Sequence, residues 1–353
     1  MEKRIKIGIT IGDYNGVGPE VIIKMLHDER IFKHCDVVIY GQRSVINFYA
    51  KLLKIQHFQL NEVTDLSKLN SKIPNVINCF ADNVTIAPGQ ASSNAGEKAL
   101  ACLEKAVEDL KTGEIDALIT GPVNKNSIAE HLPDFKGQTE YITQKTGASQ
   151  SLMLLVDEGL RVGLATNHIA VKDVATAIDS TLLTQKIDLL YKSLQRDFMI
   201  HKPRLAVLGL NPHSGDNGLI GKEEKDLLAP LVQKARERGM IALGPFAADG
   251  FFGSGSYMSF DGVLAMYHDQ GLAPFKTISF NRGVNYTAGL EVIRTSPDHG
   301  TGYDIAGHDK ASPDSIRSAL FLAIDIYRNR AIYAEMTANP VEKVRLNDDR
   351  DNM

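Results

Sequence analysis

The stretch IKIGITIGDYNGVGPE, Ile5 to Glu20, decides the fold. Ile5 to Thr10 reads as a buried strand, GDYNGVG as a glycine-bearing turn, and Pro19 opens a helix. Proline suits the first helical position because its φ is already helical and the amide it lacks would have no partner there. The same strand, turn and helix order recurs down the chain. Val37 to Tyr40 is a second strand, followed by a helix from Gln42 to Leu53. Ser92 to Leu110 is amphipathic, with Ala99, Cys102, Leu103, Ala106, Val107 and Leu110 along one face; Gly113 stops it, and Asp116 to Thr120 runs as a strand into GPVNK. Such alternation predicts an α/β protein with a mostly parallel sheet covered on both faces.

The middle of the chain has a different rhythm. Leu152 to Val156 and Arg161 to Thr166 are apolar runs separated by DEG, a hairpin signal. Further elements are a helix from Leu182 to Phe198, a strand from Leu205 to Leu210, and a helix from Lys222 to Arg238 closed by Gly239. Strands at Gly262 to Tyr267 and Leu290 to Arg294 and a helix from Ser312 to Arg328 follow, and the polar end EKVRLNDDRDNM is expected to fray. A chain of 353 residues exceeds the size at which one core stops growing, so two domains are expected. The hairpin places an inserted α/β domain at 126–287 within a first α/β domain made of 1–125 and 288–353.

Bulk composition excludes several classes of function. Net charge is −4 with a pI near 6.2, so no basic field draws nucleic acid or a membrane surface. There is no Trp, and aromatics are 7%, which argues against stacking on bases. Cys35, Cys79 and Cys102 are far apart and form no CxxC pair, which suits thiols in a reducing compartment. No segment approaches the roughly 20 apolar residues of a membrane helix, and MEKRIKIGIT is too short in its apolar part for a signal peptide. A soluble, cytoplasmic protein is expected.

The chemistry lies at the strand ends. RVGLATNH ends in His168, RLAVLGLNPH in His213 and GVLAMYH in His268, each just past the carboxyl end of an apolar strand. Loops from several strands converge there in open α/β sheets. A single such histidine is usually a turn residue bonded to backbone; three in one context point to a divalent metal with open coordination positions. Asp249 and Asp269 lie nearby in sequence, and Asp269 is expected to cap a helix. The turn from Gly12 to Glu20 lacks GxGxxG spacing, so helix–strand packing is its plain reading and a phosphate cradle the sharper one. In TGPVNK, Lys125 follows a turn where helix amides would be exposed. Lys276, Asn285 and Arg294 form a donor cluster suited to phosphate or carboxylate, against a plain reading as surface ion pairs. The loop from Asp298 to Pro313, DHGTGYDIAGHDKASP, offers Asp304 to a ribose hydroxyl.

The runs ITIGDYNGVGPE, ALITGPVNK, GQTEYI, LGLNPHSGD, LAMYHDQG and RTSPDHGT, in this order, span nearly the whole chain. Together they resemble the 4-hydroxythreonine-4-phosphate dehydrogenases of vitamin B6 biosynthesis. HGTGYDIAG is similar to the adenine-nucleotide loop of isocitrate and isopropylmalate dehydrogenases, whose two-domain fold with a cleft between the domains the resemblance implies. It further implies a homodimer with its active site at the subunit interface and one divalent metal on His168, His213 and His268, with ligands from both chains. Zinc is favoured, with magnesium, cobalt or manganese as alternatives. Gln138, Thr139, Lys276, Asn285 and Arg294 would hold the substrate, Lys276 serving catalysis, and His299, Gly300 and Asp304 would meet NAD or NADP. Lys310 or Arg317 would meet the extra phosphate of NADP. The implied reaction oxidises and decarboxylates 4-phosphooxy-L-threonine to 3-amino-2-oxopropyl phosphate. One departure stands out: the family usually has His in GHTE, where it meets the substrate phosphate, and Gln138 stands there instead. An amide donates a hydrogen bond but carries no charge, so paralogues acting on 4-phospho-erythronate or 4-phospho-threonate are a second reading. A metal-dependent phosphate-ester hydrolase and a non-catalytic ligand-binding protein are the readings from other classes.

Overall fold

A computed structural model describes residues 4–339. The expected fraying of EKVRLNDDRDNM falls outside them. Twelve strands form one sheet: β1 (Lys6–Thr10), β2 (Asp36–Gly41), β3 (Asn61–Glu62), β4 (Asn75–Asn78), β5 (Ala117–Thr120), β6 (Leu152–Asp157), β7 (Leu160–Leu164), β8 (Arg204–Leu208), β9 (Ile241–Phe246), β10 (Gly262–Ala265), β11 (Val284–Ala288) and β12 (Arg294–Pro297). Their order is β3-β4-β2-β1-β5-β12-β11-β6-β7-β10-β8-β9. All pairs from β3 to β12 are parallel, as are all from β7 to β9. Between these flanks, β12-β11-β6-β7 pair antiparallel. The architecture is therefore α/β with a large, mostly parallel mixed sheet, and the two parallel flanks run in opposite directions.

Alternation along each strand explains how both faces are buried. In β6, Leu152, Leu154 and Val156 join the main core, whereas Met153 and Leu155 join a second cluster with Val162, Leu208, Phe251 and Phe275 on the other face. The helix Ser93–Thr112 packs on β1, β2 and β5; Ser92 caps its start by accepting from the Ala95 amide, and Gly113 ends it with φ 77°. The helix Asp314–Thr337 lies on β5, β11 and β12, running past the expected end at Arg328.

The structure corrects several readings. The last strand is Arg294–Pro297 rather than Leu290 to Arg294, because Leu290 and Ile293 bury their side chains in the core ahead of the ladder. β11 and the helix His268–Ser279 were not expected: VNYTA is half polar, and Gly271 and Pro274 read as helix breakers. The stretch read as one helix from Lys222 opens as a π turn, Glu224–Leu228, and becomes α-helical only at Ala229–Glu237, where Pro230 has no amide to donate.

The turn after β1 is packing, not a phosphate cradle. Residues 12–18 are buried, and a side chain at Gly16 would collide with Thr301. Two buried carboxylates fix the loop after β12 onto it. Asp13 accepts the Tyr303 hydroxyl at 2.6 Å, and Glu20 accepts the amides of Gly307 and Ala311 at 3.1 Å each.

Candidate active site

The antiparallel seam creates the site. Arg294 and Ser296 of β12, Asn285 and Thr287 of β11, and Met153 of β6 are alternate residues in register, so they share one face of the sheet. Over that face lies a cavity of about 230 Å³. Its walls include Gln138, Thr139, His168, Lys276, Asn285, Arg294, His299 and Gly300, so eight of the expected residues meet in one place. Lys125, at the start of a short helix capped by Asn124, also lines it.

Arg294 is the anchor. It is 3% exposed, and its guanidinium donates to Thr120 Oγ1 at 2.6 and 3.1 Å and to Thr139 and Thr287 Oγ1 at 3.1 Å each. Those hydroxyls are neutral, and burial pushes the Arg294 pKa down to about 10. A buried cation held only by hydroxyls suits an anionic ligand. Lys276 reaches Asp298 Oδ1 at 3.5 Å. Burial raises the Asp298 carboxyl above its ordinary range, against the pull of Lys276.

Other walls carry acceptors. Gln138 spends its amide donor on the Gly121 carbonyl at 3.1 Å, leaving Oε1 without a partner in the protein. That bond uses one of the two N–H donors of the side-chain amide. Glu140 Oε1 lies 3.5 Å from His168 Nδ1, a contact that holds the Glu140 carboxyl below its ordinary range. Glu140, Asn167, Thr120 and Asp298 escaped the sequence reading, although Thr120 and Glu140 lie inside the runs ALIT and GQTE.

The three histidines are only partly united. The rings of His168 and His268 are 5.8 Å apart. His268 Nδ1 meets Asp269 Oδ1 at 2.7 Å, so Asp269 steadies this ring instead of capping the helix, whose N-cap Tyr267 makes no side-chain bond. Both rings thus turn Nδ1 toward a carboxylate and leave Nε2 to ligate, as metal-bound imidazoles do. His213 sits elsewhere, in a left-handed backbone run from His213 to Asn217, beside a second cavity lined by Asp249 and Asp269. Among the described residues of one chain, no three His, Cys, Asp or Glu groups are placed to hold a metal. Asp304 is exposed and outside the cavity wall; Arg317 pairs with Asp314 at 2.7 Å, and Lys310 is exposed.

Residues 33–323 match the family described as pyridoxal phosphate biosynthetic protein PdxA. A Bacteroides thetaiotaomicron protein named 4-hydroxythreonine-4-phosphate dehydrogenase is 46% identical over 344 residues, covering 97% of this chain and 94% of that one. Two crystal structures bearing the same enzyme name are similar. That from Klebsiella pneumoniae has a TM-score of 0.79 at 33% identity, covering 92% of this chain and 98% of its own. That from Burkholderia phymatum scores 0.76 at 35% identity, covering 92% and 99%.

Proposed function

Because the chain belongs to the PdxA family, the 4-hydroxythreonine-4-phosphate dehydrogenases of pyridoxal phosphate biosynthesis, we propose that it oxidises 4-phosphooxy-L-threonine with NAD or NADP. The β-keto acid formed then loses carbon dioxide, leaving 3-amino-2-oxopropyl phosphate. The observation that carries this reading is Arg294, a buried guanidinium on three threonine hydroxyls at the floor of a cavity sized for a small anion.

Each residue has a part in the chemistry. Arg294, Thr139 and Asn285 fix the anionic substrate over the sheet. The alcohol carbon gives its hydride to the nicotinamide, which His299 and Gly300 meet at the cavity mouth, with Asp304 further along the same loop toward a ribose. Once Lys276 has passed a proton to Asp298 at 3.5 Å, its neutral amine takes the hydroxyl proton. A divalent metal, zinc first, would be held by His168, His268 and His213, completed between two chains; when bound it polarises the alcohol and keto oxygens. A homodimer would supply the second chain on which that metal site depends, and would have exposed apolar side chains such as Leu219, Met258 and Phe280 to cover. No helix of the described residues is long and apolar enough to cross a membrane, and the three free thiols suit the reducing cytoplasm. Gln138 in place of histidine motivates the second reading, a dehydrogenase of 4-phospho-erythronate or 4-phospho-threonate.

Nicotinamide reduction by metal-loaded protein tests both. Chelator-sensitive turnover of 4-phosphooxy-threonine is the expected result. Preference for the sugar acid would move the enzyme to the second reading, and silence with every substrate would refute both.

A further inference from the structure

The turn that carries His213 has an uncommon backbone. From His213 to Asn217, five successive residues have φ of 53°, 52°, 78°, 43° and 56°, and only Gly215 among them is a glycine. Side chains disfavour this left-handed form one residue at a time, so a run of it persists only where its surroundings over-determine it. Glu224 supplies much of that constraint. It is 4% exposed and opens the π turn Glu224–Leu228, a backbone form that recurs at functional positions. One of its oxygens accepts the Asn211 backbone amide at 2.6 Å, and the other accepts the Asn211 side-chain amide at 3.0 Å. The Asn211 carbonyl in turn accepts the Ser214 amide at 3.1 Å, which closes the first coil of the turn. Gly215 is buried against the same carboxylate: a Cβ there would collide with Glu224 Oε2 and the Gly221 carbonyl. His213 itself is exposed.

The strand end behind the turn is tied as well. Gln270 donates to the Gly209 carbonyl at 2.6 Å and accepts the Met266 amide at 2.7 Å, so the end of β8 is bound to the end of β10, two residues before His268. Metal-binding imidazoles are commonly aligned by a group behind the ring. His168 and His268 each have a carboxylate at Nδ1, whereas His213 is held through its backbone. Resting on the reading that His213 ligates the metal, we propose that Glu224 is the positioning residue for that ligand. Its carboxylate holds the left-handed turn and so fixes where His213 stands when the two chains meet.

Glu224→Gln keeps shape but turns a donor onto one of the two Asn211 amides. Gly215→Ala disturbs the same contact from the other side, which keeps the test valid if the first variant fails to fold. The full chain, stripped with chelator, would be titrated with zinc against a chromophoric chelator, in the parent and in a His213→Ala background. Hydrogen exchange would be followed at residues 213–217. The expected result is zinc binding about tenfold or more weaker in either variant, with faster exchange across the turn. In the His213→Ala background Glu224→Gln should change zinc affinity less than about twofold, because the ligand that Glu224 places is gone. Equal losses in both backgrounds would make Glu224 a general structural residue and overturn the proposal. So would parental affinity in both variants when His213→Ala itself weakens zinc. A His213→Ala chain that binds zinc as the parent does would refute the ligand reading, and the proposal with it.

Discussion

Two buried charges, Asp197 and Arg294, show how differently one protein treats its interior. Asp197 is 0% exposed and fully engaged: Arg330 Nε donates at 2.7 Å, Tyr286 Oη at 2.6 Å, Ser193 Oγ at 2.7 Å and Arg196 Nε at 3.1 Å. It joins the end of the helix Ser180–Arg196 to β11 and to the helix Asp314–Thr337. Arg294 is equally deep but touches only neutral hydroxyls, and unpartnered acceptors share its cavity. A saturated network specifies structure; an unsaturated one at comparable depth is kept for a ligand.

The comparison breaks if the two sites respond alike. Asp197→Ala should cost about 3–5 kcal/mol of stability, since it leaves two arginines against a buried void, while the folded variant keeps its kcat below its melting temperature. Urea unfolding and a rate assay at low temperature check both halves. Arg294→Met should do the reverse. It should lower kcat/KM roughly 30- to 1,000-fold, the about 2–4 kcal/mol lost when one partner of a buried charged hydrogen bond is removed. Its melting temperature should hold or rise, because the burial cost of a charge that hydrogen-bonds only to neutral hydroxyls is gone. A marked fall in Tm with little change in rate would make Arg294 a structural residue and remove the contrast.

The sequence carried much of this and left out a definable remainder. Strand-turn-helix order is local, so β1, β2, β5 and the long helices between them were legible, and so was the hairpin at DEG, whereas β3 and β4 are too short to show a period. The donors Lys276, Asn285 and Arg294 were legible as a cluster because 18 residues of chain hold them close. What was hidden is what only pairing supplies. β11 declares no alternation strong enough to mark it, yet it turns the seam antiparallel and brings the sheet face at Asn285 and Arg294 into one cavity with the carboxyl ends of β5, β7 and β12. The polarity of Gln138 depends on a carbonyl 17 residues away, beyond any local pattern. His213 looks equivalent to His168 and His268 in sequence, yet the fold of one chain sets it apart.

The smallest expected effect sharpens the same lesson by sign. Asp13 and Asp197 are both buried aspartates at 0% exposure. Burial raises Asp13 above its ordinary value of 3.8, the hydroxyl of Tyr303 and nearby amides compensating only in part. Burial also acts upward on Asp197, but Arg330 and Arg196 outweigh it and the net shift is down. The linkage signs are therefore opposite. The Asp197 contribution is present above its unfolded value and is lost as pH falls through the lower, folded one. The Asp13 contribution is present below its unfolded value and is lost as pH rises through the higher, folded one. Urea unfolding at a series of pH values from 7 to about 3 reads the slopes directly. Relative to the parent, Asp197→Asn should lose less stability in the acid limb below about pH 4. Asp13→Asn should lose more between neutrality and that limb, since it lacks the gain that protonating Asp13 brings. Slopes shifted in the same direction by both variants would mean that the arginines do not distinguish the two sites.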